Sequence, residues 1–186
     1  NIVPTKEIIV MFTLLEISNK DENSLKLNYL FVKEASKNDW KKRYQLSCLL
    51  KNIPIIKQGN LSDYEYFKAT EKQKAPFELA NKEYLLLIND IPVSSVYVIH
   101  KNEKIVDITV TTLAKYRRKG YAQMAIQLVE EKIFANPNIF FATITDITKE
   151  KISSKIATAL GYTYHEETNT FIKANPILEE KITHQL

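Results

Sequence analysis

Residues 104–134 constrain this chain more than any other stretch. Val106, Ile108 and Val110 alternate with Asp107, Thr109 and Thr111, the pattern of a strand with one buried face. A basic turn, Arg117-Arg118-Lys119-Gly120, opens directly into a run with Ala122, Ile126, Val129 and Ile133 at helical spacing. The first N–H groups of a helix have no internal partner, and the helix dipole puts partial positive charge at that end. Three cationic side chains lie at the same place. Gly120, one of only three glycines, sits where the backbone takes φ > 0 or must approach a ligand closely. Together these features predict a phosphate or pyrophosphate site.

A chain of 186 residues supports one domain with a substantial core and a small appendage. Its 45% hydrophobic and 26% charged residues are those of an ordinary globular protein. The net charge of +4 is mild and the lysines alternate with acids, so the composition does not point to nucleic-acid binding. Cys48 is the single cysteine, which excludes an intramolecular disulfide; with no secretory signal in view, the expected compartment is the cytoplasm. No apolar run approaches the ~20 residues that span a bilayer, so no membrane association is expected.

Residues 1–20 are apolar on nearly every side, and periodicity cannot separate helix from strand there. A helix from about Pro4 is the favoured reading, as an N-terminal extension (residues 1–23) packed on a main domain (residues 24–186). A contact between copies, giving a homodimer, is the alternative. Leu25, Leu27, Tyr29 and Phe31 recur every second residue and predict a strand to about residue 33. Trp40, Tyr44 and residues 46–50 predict a helix. Ser62 and Glu65 have capping-box spacing and predict a second helix over residues 63–72. Three strands follow at 83–88, 93–100 and 105–111, and their short connections predict an antiparallel meander. After the helix that follows Gly120, residues 139–144 read as a buried strand. Ile152, Ile156 and Leu160 mark another helix, with Gly161 as its left-handed cap. Residues 162–165 and 170–173 form a closing hairpin. The fold class is α/β (α+β), with about six to seven strands in a mixed, twisted sheet flanked by helices.

From about residue 25 to residue 174 this order resembles the GNAT superfamily of acyl-CoA N-acyltransferases. Two motifs carry the resemblance. The family's phosphate loop, Gln/Arg-x-x-Gly-x-Gly/Ala, is matched by Arg117-Arg118-Lys119-Gly120-Tyr121-Ala122. Its later Leu-Gly-aromatic is matched by Leu160-Gly161-Tyr162. The loop pattern alone has little specificity; its place at a strand-to-helix junction, with the second motif one strand and one helix later, gives it weight.

The resemblance implies an acetyltransferase with acetyl-CoA as donor. The main chain of Arg117, Arg118, Lys119, Gly120, Tyr121 and Ala122 would bind the pyrophosphate. The pantetheine arm would run where the strand over 105–111 splays from that over 139–144, touching main-chain groups near Thr112 and Ala114. The acceptor, a small-molecule or peptide amine, would enter beside residues 40–50 and 63–72. A neutral amine would attack the thioester directly in a ternary complex, with main-chain N–H groups on the oxyanion and an acid for the leaving thiolate.

Two positions depart from the family pattern. Aligned on Leu160-Gly161, the usual thiolate-protonating Tyr falls at Ala157, and an Asn near the start of that helix falls at Glu150, flanked by Lys149 and Lys151. A CoA thiol titrates near ~8.5, so its departure is not prohibitive without a strong acid. Ser154, Thr158 and Tyr162 are the nearby hydroxyls. Asp107 is the first candidate base, because it interrupts an apolar strand on the face it shares with Thr109 and Thr111; a carboxylate paired with a lysine is the competing reading. His100 is the second candidate. Three His and one Cys without ligand spacing predict no metal site, and Cys48 reads as a small buried residue. Tyr64 and Tyr66 either line the acceptor pocket or fill the core, and the core reading is preferred. Two further functions compete: a degenerate CoA-binding regulatory domain, which Ala157 and Glu150 favour, and an interaction domain that binds no cofactor.

Overall fold

A computed structural model describes residues 10–17, 21–36, 39–50, 54–57, 59–71, 82–145 and 152–178. Its strands are β1 (Phe12–Ile17), β2 (Lys82–Ile88), β3 (Ile91–His100), β4 (Ile105–Thr112), β5 (Phe141–Thr145), β6 (Thr163–His165) and β7 (Thr170–Ala174). Its helices are α1 (Glu22–Ser36), α2 (Trp40–Leu50), α3 (Asp63–Glu71), α4 (Tyr121–Phe134) and α5 (Ile152–Ala159). The strands make one seven-stranded mixed sheet in the order β1-β2-β3-β4-β5-β7-β6. Among the described strands only β4 and β5 run parallel; the strands from β1 to β4 are antiparallel in sequence order.

Two sequence-based expectations are overturned, and they exchange identities. The segment expected to hold an N-terminal helix supplies β1, an edge strand paired with β2 from Phe12↔Ile88 to Ile17↔Glu83. The extension thus contributes a strand to the sheet and the start of α1. The rest of the expected helix, residues 4–9, lies outside the described residues. The segment expected to be a strand over 25–33 is helix α1. Two stripes produced the misleading alternation: Leu25, Tyr29 and Val32 pack on α2 and α3, while Leu27 and Phe31 pack on the sheet. Each stripe has helical spacing; interlaced, they mimic a period of two. Asp21 starts the helix, its carboxylate accepting the Ser24 N–H at 2.8 Å.

The remaining elements match their expected positions. The Ser62–Glu65 capping box is formed, with the Ser62 N–H on Glu65 Oε2 at 3.0 Å and the Glu65 N–H on Ser62 Oγ at 3.3 Å. Past α5, Gly161 has φ 88°; its N–H donates to Thr158 O and the Tyr162 N–H to Ala157 O, a Schellman closure.

The sheet is covered on both faces. On one, Val96, Val98, Val106 and Ile108 meet Ala125, Ile126, Val129 and Ile133 of α4, with Ala157 of α5 beside Ala142 and Ile144. Burying each of the larger aliphatic side chains contributes about 1.5–3 kcal/mol. On the other, Leu85 and Leu87 meet Leu27 of α1. A separate aromatic cluster, with Trp40, Tyr44, Tyr66 and Phe67, joins α1, α2 and α3 and includes the buried Cys48. These layers fix β4 and the start of α4, leaving the turn between them at the surface.

Candidate functional site

The site begins where β4 and β5 part. They pair at only three positions, Ile105↔Phe141, Val106↔Ala142 and Asp107↔Thr143. Beyond Asp107, β4 continues to Thr112 with no pairing to the described residues of β5. Leu113 donates its N–H to Val93 O at 3.1 Å, and the same register places Thr111 opposite Ser95 and Thr109 opposite Tyr97. In an antiparallel ladder alternate residues turn their N–H groups to opposite edges. Val110 and Thr112 therefore direct theirs away from β3, into the gap that β5 has left. Ser94, fully buried, braces this end of β4 through Thr111 O and Thr112 Oγ1, both at 3.0 Å.

A 3-10 turn over Ala114–Tyr116 leads to the basic loop. Arg117 is extended, Arg118 has φ 62° and Gly120 has φ 81°. A positive φ at a non-glycine such as Arg118 is a strained conformation of the kind that collects at functional sites. Gly120 settles its own alternatives, because a Cβ there would meet open space; the backbone angle, not crowding, requires glycine. Gly120 is the N-cap of α4 and provides no side-chain cap, and the first helical bond runs from Met124 N to Gly120 O. The N–H groups of Tyr121, Ala122 and Gln123 thus have no partner within the helix.

Arg118, Lys119 and Gly120 are exposed around this terminus, while Tyr121 and Ala122 are half-buried. The Lys115 and Lys119 ammonium groups lie over the Tyr116 ring at 5.6 and 5.9 Å. Arg117 turns back, its Nε donating to Thr112 O at 3.0 Å, so it ties the loop to the strand. The Ala114 N–H goes to the carboxylate of Glu34 on α1, at 3.2 and 3.1 Å from its two oxygens. Sequence reasoning missed Glu34, because the helix that carries it read as a strand.

Asp107 lies on the last rung before the gap. Its Oδ1 accepts Thr143 Oγ1 at 2.6 Å and Thr145 Oγ1 at 3.2 Å, with Lys101 Nζ at 3.7 Å. The carboxylate is thus both at the fork and paired with a lysine. His100 is exposed at the end of β3. Tyr66 is fully buried, and Tyr64 gives its hydroxyl to Glu22 Oε1 at 2.7 Å, so both serve the helix layer.

The later helix offers little acid chemistry. Ala157 is fully buried, and Thr158 bonds back to Ser154 O at 2.8 Å. Tyr162 is 4% exposed on the α4 side, and burial pushes its phenol far above the ordinary range, with the Glu130 carboxylate adding to the shift. Glu130 Oε2 accepts Lys173 Nζ at 2.8 Å, while Glu130 Oε1 and Tyr162 Oη have no well-formed partner among the described residues. So weak an acid is a poor proton donor to a thiolate. Glu150, Lys149 and Lys151 lie outside the described residues. Among the described residues no cluster suited to a metal ion occurs and no helix is long and apolar enough to cross a membrane.

The overall fold recurs in solved structures. A GNAT-family acetyltransferase from Streptococcus pneumoniae superposes with TM-score 0.51 at 13% identity, over 87% of this chain and 99% of that one. The Campylobacter jejuni N-acetyltransferase PseH, solved with acetyl-CoA, gives 0.54 at 8%, over 88% and 99%. Vibrio cholerae spermidine N-acetyltransferase, solved with CoA and spermine, gives 0.57 at 11%, over 89% and 96%. The chain has the GNAT acetyltransferase fold. No protein-family model and no curated protein matches the sequence. At these identities the GNAT likeness is one of architecture, and the chemistry has to be argued from the residues of this chain.

Proposed function

We propose that this protein transfers an acetyl group from acetyl-CoA to a primary amine by direct attack in a ternary complex. One observation carries the reading: β4 continues past its fork with β5, turns the Val110 and Thr112 N–H groups into the gap, and leads to an uncapped helix N-terminus among cations. That gap suits an extended arm, and the terminus suits a pyrophosphate. The residues fit the donor in this order along the chain: Val110 and Thr112 for the arm and the acyl carbonyl, Ala114 where the strand ends, and Arg117, Arg118, Lys119, Gly120, Tyr121 and Ala122 for the phosphates. Arg117 acts by holding the loop to Thr112, and Arg118 and Lys119 supply charge.

In this reading the N–H groups on the open edge of β4 polarise the thioester carbonyl. Asp107, at the base of the gap, accepts the proton of the attacking amine, directly or through water, as the C–N bond forms; the C–S bond breaks and CoA leaves as its thiolate, which solvent protonates. The amine enters from the side of α2 and α3. PseH and the spermidine enzyme, solved with acetyl-CoA and with CoA and spermine, support an acyl-CoA donor and a small amine acceptor.

A second reading is favoured by Ala157 and Tyr162. With alanine buried where the family places its acid, and with the Tyr162 phenol held protonated in the core, the fold would bind CoA without turnover. Calorimetric titration with acetyl-CoA, CoA and dephospho-CoA, followed by an amine panel, separates the cases. Micromolar binding with turnover supports the transferase, and binding without turnover supports the regulatory domain. Absence of binding at millimolar ligand removes both.

A further inference from the structure

The contact between Glu34 and Ala114 joins residues 80 positions apart in sequence. It links α1, in the helix layer on the proposed acceptor side, to the first residue of the 3-10 turn that leads to the basic loop. Both carboxylate oxygens share one N–H, so a full negative charge stands at the end of the strand edge that the acyl donor would follow. Four cationic residues, Lys115, Arg117, Arg118 and Lys119, lie just beyond it.

We propose that Glu34 is a latch on this edge, closed in the free protein and opened when the acyl donor binds. This role rests on the acyl-donor reading above. Two effects oppose the carboxylate once a donor occupies the loop. It competes for the Ala114 N–H with the polar groups of the arm, and it is repelled by phosphate charge a few residues away. A pocket of about 480 Å³ beside it, between α1 and the start of the loop, can receive the released side chain. The pocket's charged lining besides Glu34 is Lys26, Lys115 and Asp90, two cations to one carboxylate, over an apolar floor that includes Leu30, Leu113 and Tyr116. Opening the latch breaks the bond between the last turn of α1 and the β4 end. Donor binding thereby frees the last turn of α1 from the β4 end.

The test is acetyl-CoA calorimetry on wild type, Glu34→Ala and Glu34→Gln, with amide hydrogen exchange at Ala114. The Ala variant is expected to bind acetyl-CoA about three- to tenfold more tightly, the discounted value of an exposed charge-assisted hydrogen bond. Gln keeps the shape without the charge and should fall between. The Ala114 amide should exchange slowly in the free wild type and fast in free Glu34→Ala. Adding acetyl-CoA to the wild type should speed exchange in the last turn of α1. Unchanged affinity in Glu34→Ala, with wild type binding normally, overturns the latch alone. Weaker binding does so too, since it would mean that Glu34 organises the loop for its ligand. No binding by any of the three proteins overturns the acyl-donor reading and the latch with it.

Discussion

Thr143 faces Asp107 on the last rung shared by β4 and β5, and its hydroxyl donates to Asp107 Oδ1 at 2.6 Å. The strands separate immediately beyond this bond. Thr145, two residues on, reaches back to the same oxygen. The carboxylate therefore pins the point at which the sheet opens, and it does so from the floor of the gap. Pinning and proton transfer require different things of Asp107: the first needs an acceptor oxygen, the second a base.

Asp107→Asn separates them. An amide oxygen still accepts the two threonine hydroxyls, so the variant should fold, and acetyl-CoA affinity by calorimetry should hold. Loss of the base should lower kcat by about 100-fold or more. A kcat close to wild type in the folded variant would leave Asp107 as a pin and take it out of the chemistry.

Gly120 offers a cleaner test of the anion site. Its φ of 81° is strained for a residue with Cβ, while the space around that Cβ is open. Asn tolerates left-handed backbone better than other residues, so Gly120→Asn should fold and keep most of its affinity for acetyl-CoA. Gly120→Asp has nearly the same shape and adds a negative charge at the helix terminus. Its acetyl-CoA affinity should fall about tenfold or more relative to Asn, as one unit charge near a phosphate is worth ~1–4 kcal/mol between water and a protein surface. Equal affinity in the two variants would place the phosphate site elsewhere.

The second half of the chain was legible because its signals are local. The alternation of Val106, Ile108 and Val110, the glycine at a left-handed helix start and the Leu-Gly-Tyr closure each depend on a few neighbouring residues. The first half was not. Leu25 and Leu27 belong to different stripes of one helix, and their separation is decided by packing on α3 and on the sheet, which no local pattern records. Residues 12–17 become a strand because β2 offers an edge, 70 positions further on. Glu34 was invisible for the same reason, since its partner Ala114 is distant and its helix was misassigned. The core position of Tyr162 was equally hidden. An aromatic after Leu-Gly signals a turn, not which face of the sheet it fills.

The capping box of α3 should be worth measuring independently of function. Ser62→Ala removes the acceptor of the Glu65 N–H and should cost about 1 kcal/mol in urea unfolding, with the slope unchanged. The two hydrogen bonds with Ser62, the backbone one foremost, hold the Glu65 carboxyl below its usual range. A depressed carboxylate contributes stability above its unfolded pKa and loses it as pH falls through the folded one. Ser62→Ala keeps the backbone N–H that binds this carboxylate, so the pH-dependent part is read from Glu65→Ala, whose cost should shrink below about pH 4. A cost that does not change with pH would mean that Glu65 is not linked to the cap.

The Glu130, Tyr162 and Lys173 group makes opposite predictions for its members. Lys173 is the ion-pair partner of a carboxylate that is 5% exposed, so Lys173→Met should destabilise by about 3–5 kcal/mol through an unpaired buried charge. Combining it with Glu130→Leu should recover most of that loss, because the pair is then replaced by apolar packing. Tyr162→Phe deletes a hydroxyl with no well-formed partner and should be neutral or stabilising at pH 7. At high pH the sign is set by linkage. The phenol pKa is raised in the folded state, so its contribution is complete below the unfolded value near ~10 and declines as pH rises beyond it. Tyr64 and Tyr84 are shifted in the same direction and keep part of this alkaline loss in any single variant. Thermal unfolding of Tyr162→Phe between neutral and strongly alkaline pH should therefore show a shallower decline than wild type. Parallel declines would mean that the hydroxyl reaches solvent in the folded protein, and the raised phenol pKa would be wrong.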